Sequence, residues 1–273
     1  MLHIASRVAV EAATGKLLTQ AATLDDTGLA AFGQDLSAIA GLLSREPVLR
    51  RTLSEATTDV QARAGIINRV LTGHVGAPAL QLTDFAIRQD WGSGSDLRDA
   101  FRRLGRTAQF LRAERSGELD EAEDQLFRFG RIVDGAPELS VLLDDPTLGG
   151  QARVALVRGV LSGRVHPLTQ QLLEDLAQDT AGRSFSHGVR ELVDQAAERK
   201  DKVVAVVESA VPLDTEQRGR LVAALGRIYH REVAVHTVVS PTLVGGLRIR
   251  VGDEVIDGSV AGRLAALRAR LAS

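Results

Sequence analysis

Leu29, Phe32, Leu36, Ile39 and Leu43 recur at spacings of three and four, which lays them along one face of a helix. Asp25-Asp26-Thr27 stands in front of that stripe, with a capping acid where a helix start wants one. Short helices are predicted over about 47–54, 59–72 and 77–90, punctuated by Pro47, Gly73 and Pro78. Gly92-Ser93-Gly94-Ser95 breaks the chain before a longer helix over about 96–115. A second stripe follows from Leu119, with Leu126, Phe129 and either Ile132 or Val133 facing inward.

The second stripe belongs to an internal repeat. Gln61-Ala62-Arg63 matches Gln151-Ala152-Arg153, Val70-Leu71 matches Val160-Leu161, and Gly73 matches Gly163, all at an offset of 90 without a gap. Leu29, Leu36 and Leu42 fall on Leu119, Leu126 and Ile132 at the same offset. A unit of that length exceeds the common solenoid periods of roughly 20–50 residues, so it reads as two tandem helical bundles.

Beyond Arg199-Lys200-Asp201-Lys202 the pattern changes. KVVAVVESAV is short and β-branched, as a buried strand should be. Asp214 with Gln217 three residues on predicts a capping-box helix start, and Leu221, Val222, Leu225 and Ile228 are expected on one face of that helix. EVAVHTVV reads as a second strand, and LRIRV-GD-EVID as a hairpin turned by Gly252-Asp253. A last helix is expected to carry Val260, Leu264, Leu267 and Leu271. The expected fold is mainly α with a small α+β C-terminal domain: a bundle over 1–108, a second over 109–200, and a β-α-β-β-α domain over 201–273.

Composition narrows function mostly by exclusion. The chain has 273 residues and no cysteine, which removes disulfides, thiolate metal sites and thiol nucleophiles together. A net charge of −2 gives no basic excess for nucleic acid. The N-terminus lacks the pattern of a signal peptide, and no stretch approaches the roughly 18 apolar residues that span a bilayer.

SPTLVGGLRIRVGDEVIDGSV, residues 240–260, offers the one stretch that could be a phosphate cradle or a metal loop. Its glycines do not follow G-x-x-x-x-G-K-[ST] or G-x-G-x-x-G, and Gly245-Gly246 precede a strand where a phosphate loop needs a helix. Asp253 fits a hairpin tip, and Asp257 with Ser259 fits a helix cap. The six histidines are scattered, with no H-E-x-x-H pair. Trp91, the single tryptophan, reads as packing at a helix end. Arg98, Arg102, Arg103 and Arg106 form a basic helix face without aromatic platforms for bases, which suits solvent or an acidic protein partner.

The C-terminal residues resemble a known family. Ser209-Ala210-Val211-Pro212-Leu213, then Pro241, Leu243, Gly245 and Gly246, then the run Gly252, Asp253, Asp257, Gly258 and Ser259, are similar together to the delta subunit of F-type ATP synthases, the bacterial relatives of the mitochondrial oligomycin-sensitivity-conferring protein. Where that family usually has Asp before the proline, this chain has Ser240. Ordinary members have one bundle; the duplication resembles the enlarged delta subunits of actinobacteria, which can also be fused to a stalk b subunit. Without a membrane anchor, the chain would correspond to the unfused form.

The resemblance implies a non-catalytic stator subunit without cofactor or metal. Its bundle would bind N-terminal segments of alpha subunits, and its C-terminal domain the C-terminal ends of b subunits. It implies a peripheral position on the cytoplasmic face of the bacterial plasma membrane, with membrane association only through the complex. From the family helices that make the alpha groove, the first copy would use Val8, Ala12, Leu82, Phe85 and Ala86. The alternative is a small-molecule or phosphate-binding enzyme centred on residues 245–257.

Overall fold

The structure is a computed structural model that describes residues 4–199, 202–229, 232–241, 243–251, 254–260 and 262. Contacts divide the chain into two compact units, Met1–Leu192 and Val193–Ser273. The first copy comprises α1 (Ile4–Ala21), α2 (Asp26–Arg45), α3 (Pro47–Ser54), α4 (Val60–Leu71), α5 (Ala77–Ile87) and the long α6 (Gly94–Ser116). There follow α7 (Leu119–Asp134), α8 (Pro137–Asp144), α9 (Gly150–Leu161), α10 (Pro167–Gln178) and α11 (Phe185–Arg199), which runs on past the boundary between the units.

Shifted by 90 residues, α1 falls on α6, the helices α2 to α5 fall on α7 to α10, and α6 falls on α11. One helix is thus the last of the first copy and the first of the second. The division expected at 108/109 lies inside it. A helix that serves two bundles must be covered on more than one face, and every residue from Leu104 to Phe110 is buried, including Arg106, Thr107 and Gln109.

The expected stripes are in place. Leu29, Phe32, Leu36, Ile39 and Leu43 are at most 2% exposed, and Asp25 caps α2 by accepting from the Gly28 amide at 2.7 Å. In α7 the inward residue is Val133, while Ile132 stays 51% exposed. The crossing of α2 over α6 is close enough to require glycine: a Cβ on Gly105 would lie 2.8 Å from Ser37 Oγ and 3.3 Å from the Gly33 carbonyl oxygen.

The repeated residues have structural roles. Gly73 and Gly163 end their helices at φ of 81° and 68°, the left-handed region glycine enters without strain. Arg63 Nη1 donates to the Leu53 carbonyl at 3.3 Å, and its repeat partner Arg153 donates to the Leu148 carbonyl at 2.8 Å. Each arginine ties its helix to the loop or helix before it. Trp91 is buried and closes α5 by donating Nε1–H to the Ala86 carbonyl at 2.8 Å.

The second unit contains β1 (Lys202–Ser209), α12 (Thr215–Tyr229), β2 (Glu232–Val239), β3 (Leu247–Val251) and β4 (Glu254–Asp257). The sheet order is β2-β1-β3-β4, with β1 parallel to β2 and the β1–β3 and β3–β4 pairs antiparallel. The capping box forms as expected: the Gln217 amide donates to Asp214 Oδ1 at 2.7 Å, and the Asp214 amide to Gln217 Oε1 at 3.0 Å. Val207, Val233, Val235, Ile249 and Val251 make the core with Leu225. Ile228 departs from expectation at 59% exposed, because Tyr229, a full turn beyond Leu225, faces the core in its place. The Gly252-Asp253 turn and the Leu264, Leu267 and Leu271 stripe lie outside the described residues. Among the described residues no helix is long and apolar enough to cross a membrane.

Candidate docking surfaces

The corner at residues 240–260 is built for backbone contact. Pro241 sits exposed in a turn that the Leu243 amide closes onto the Ser240 carbonyl at 3.1 Å. The Gly258 amide then donates to the Leu247 carbonyl at 2.9 Å, and the Val260 amide to the Gly245 carbonyl at 3.0 Å. Gly246 has φ of 83°, and a Cβ there would lie 2.5 Å from the Gly258 carbonyl oxygen. Both the dihedral and the space demand glycine.

Asp253 lies outside the described residues, and Asp257 is accounted for. Asp257 Oδ1 accepts from the Ser259 amide at 2.9 Å, and Ser259 Oγ accepts from the Gly262 amide at 3.0 Å, as a helix cap does. The bonds from Ser259, with Arg248 nearby, hold the exposed Asp257 carboxyl below the usual carboxylate range. A catalytic base near neutral pH needs the opposite displacement. Among the described residues no group of three histidines or acids could hold a metal ion.

The five residues expected to bind an alpha segment separate into two kinds. Gln20 near the end of α1 donates to the Pro78 carbonyl at the start of α5 at 3.2 Å, while the Gly92 amide, just beyond α5, donates to Ser6 Oγ at 2.9 Å. The two helices therefore run antiparallel, with Val8 toward the Phe85 end. Leu82 and Ala86 have no exposed surface and belong to the core of the first copy, so they present nothing to a partner. Their i, i+4 spacing put them on the inner face of α5. Val8 is 62% exposed, Ala12 and Phe85 are half-buried, and Ile4 extends the apolar line at 74% exposed.

The equivalent surface of the second copy, on α6 and α10, keeps the core and changes the outside. Leu82 and Ala86 become Leu172 and Leu176, both buried. Val8, Ala12 and Phe85 become Arg98, Arg102 and Asp175. Arg98 pairs with Asp99 at 2.8 Å and Arg102 with Asp179 at 2.8 Å. Arg106 lies 3.8 Å from Glu191; loss of hydration, then the neighbouring Arg102 charge, pull its guanidinium down to about 10. The basic face expected to meet solvent or an acidic partner thus meets acids of its own chain. The reason is tertiary: Asp179 and Glu191 lie far along the sequence. Beside these arginines, α2, α6 and α10 enclose an open cavity of about 660 Å³ lined by Ser37, Arg102, Arg106, Asp175 and Gln178. Nothing in the spacing of Arg98 to Arg106 foretold that cavity.

The family pattern described as ATP synthase delta (OSCP) subunit matches residues 107–271, from inside the shared helix α6 to the C-terminal domain. ATP synthase subunit delta of Streptomyces avermitilis is 42% identical over 273 residues, covering 99% of each chain. This chain belongs to the ATP synthase delta (OSCP) subunit family. It is a non-catalytic part of the ATP synthase. The delta subunit of Streptomyces griseus is 40% identical over 99% of this chain and 100% of its own length, so both relatives have counterparts of the first copy. ATP synthase subunit b-delta of Mycobacterium sp. (strain KMS) is 40% identical over 97% of this chain, which spans 60% of that longer protein. A chain in the Toxoplasma gondii mitochondrial ATP synthase hexamer aligns with 62% of this one at 21% identity and a TM-score of 0.38.

Proposed function

We propose that this delta-family subunit joins the top of the catalytic head to the peripheral stalk and resists rotor torque, acting through two separate docking regions. The helical bundles of about 1–108 and 109–200, which share α6, form the head side, and residues 201–273 the stalk side. On this reading the N-terminal segment of an alpha subunit lies along α1 and α5 of the first copy, against Ile4, Val8, Ala12 and Phe85. The C-terminal ends of b subunits bind the sheet domain, and the subunit works on the cytoplasmic face of the bacterial plasma membrane. The observation that carries the alpha assignment is the contrast between the copies. Exposed apolar side chains at helical spacing fit the apolar face of an amphipathic helix, whereas Arg98, Arg102 and Asp175 at the equivalent places do not.

Titration calorimetry of the whole chain with the alpha N-terminal peptide and the b C-terminal segment tests the assignment. Binding of both is expected. Val8→Arg with Ala12→Arg should weaken the alpha peptide at least about tenfold and leave the b segment unaffected, as loss of an interface anchor does. Absence of heat with either segment would remove the stator reading; heat with both but no effect of the double variant would remove only the groove.

A further inference from the structure

The shared helix α6 holds the two copies in unlike ways. Against the first copy it is apolar: Leu97, Ala100, Phe101 and Leu104 belong to one core with Ala9 of α1. Toward residues 179–191 its N-terminal half presents charge. Asp99 pairs with Arg183, which also reaches Glu191 at 2.5 Å; Arg102 pairs with Asp179 at 2.8 Å; and Arg106 stands 3.8 Å from Glu191. The residues 90 positions earlier show what was replaced. Ala9 stands for Asp99, Ser93 for Arg183 and Phe101 for Glu191.

The ionic pairs occupy the open end of a corner. At the other end α6 turns into α7 through Gly117, at φ of 74°, with Phe110, Ala113 and Leu119 all buried. The cavity of about 660 Å³ bounded by α2, α6 and α10 opens at the ionic end, where Arg102, Arg106 and Asp179 line it. Gln109, 5% exposed, lines a separate recess of about 230 Å³ nearer that corner, with Ala113, Glu118 and His166. The side chains of α2, α6 and α10 thus leave unfilled space beside the ionic pairs.

We propose that the Asp99–Arg102–Arg106 stretch of α6 and its partners Asp179, Arg183 and Glu191 form an electrostatic latch, and that the second bundle, α7 to α11, swings about the α6–α7 corner when the latch opens. The pairs are partly exposed, with side-chain exposures of 11–39%. Salt screens such pairs: the Debye length falls from roughly 10 Å at 0.1 M to roughly 3 Å at 1 M. Apolar contacts of the first copy do not weaken with salt. Combined with the stator reading, on which this use alone rests, the doubled bundle would be a compliant joint in the head connection.

The absence of cysteine makes the test clean. Nitroxide labels go on Val48→Cys and Val141→Cys, whose native side chains are 77% and 70% exposed in different copies. A control pair, Val48→Cys and Val70→Cys, lies within the first copy. Double electron–electron resonance at low and at molar salt should show the inter-copy distribution broadening and shifting by roughly 3 Å, one hydrogen-bonded water layer, with the control unchanged. Asp99→Asn with Glu191→Gln should give the same shift at low salt, its fold checked by circular dichroism; if it does not fold, the salt series on the unsubstituted latch decides. An inter-copy distribution indifferent to salt, or one that moves together with the control, would overturn the latch.

Discussion

Two bundles built on one helical plan differ most where they share α6. The first copy meets that helix through Ala9, Leu97 and Phe101; the second meets it through Asp99, Arg183 and Glu191. The outer surface diverges in the same sense, since Val8, Ala12 and Phe85 are answered by Arg98, Arg102 and Asp175. The second copy has thus used ion pairs among its own residues where the first keeps apolar surface open. A duplicated fold can keep its core spacing while its surfaces acquire different work, because core positions answer to packing and surface positions to partners.

The sharpest way to break the contrast is to write the second copy's residue into the first. Phe101→Glu would place an unpaired charge in a core position, and a loss of about 4 kcal/mol or more is expected by urea unfolding. Next comes the close crossing. Gly105→Ala must push Ser37 away and should cost about 2–3 kcal/mol in the same assay. The second copy carries Glu123 and Gln195 where the first has Gly33 and Gly105. Glu191→Gln removes a partly exposed acid from the latch, and a smaller loss of about 1–2 kcal/mol is expected, shrinking at high salt.

The smallest effect is a pH effect at the cavity mouth. Burial pushes the Asp175 carboxyl up to about 6, against the pull of Arg106. An acid whose folded pKa is raised is a stabiliser only when protonated: its contribution is full below the unfolded value of 3.8 and is lost as pH rises through about 6. Asp175→Asn should therefore raise the unfolding midpoint slightly at pH 7, by a few tenths of a kcal/mol because the side chain reaches solvent, and the gain should vanish near pH 4. A midpoint lowered at pH 7 would mean that Arg106 needs this acid.

Much of the fold was legible along the chain. The stripe from Leu29 to Leu43, the capping box at Asp214 and the glycine at 246 are local signals, decided by helix period, a reach of three residues and one dihedral. The offset of 90 was equally plain. What it did not disclose is that one helix can close the first copy and open the second, because a repeat gives an offset and not a count of helices. Which side chains of α1 and α5 reach the surface was half legible. An apolar residue at i+4 of a helix looks the same whether it points to a partner or to the core, which is why Leu82 and Ala86 proved internal. The partners of Arg102 and Arg106 were illegible, since Asp179 and Glu191 are brought there only by tertiary packing.

The most direct measurement exchanges the two outer surfaces and follows binding of the alpha N-terminal peptide by calorimetry. One variant carries Val8→Arg and Ala12→Arg in the first copy, the other Arg98→Val and Arg102→Ala in the second. The account predicts that the first variant loses the peptide at least about tenfold and that the second leaves its affinity unchanged. Loss of binding in the second variant, with full binding in the first, would contradict it.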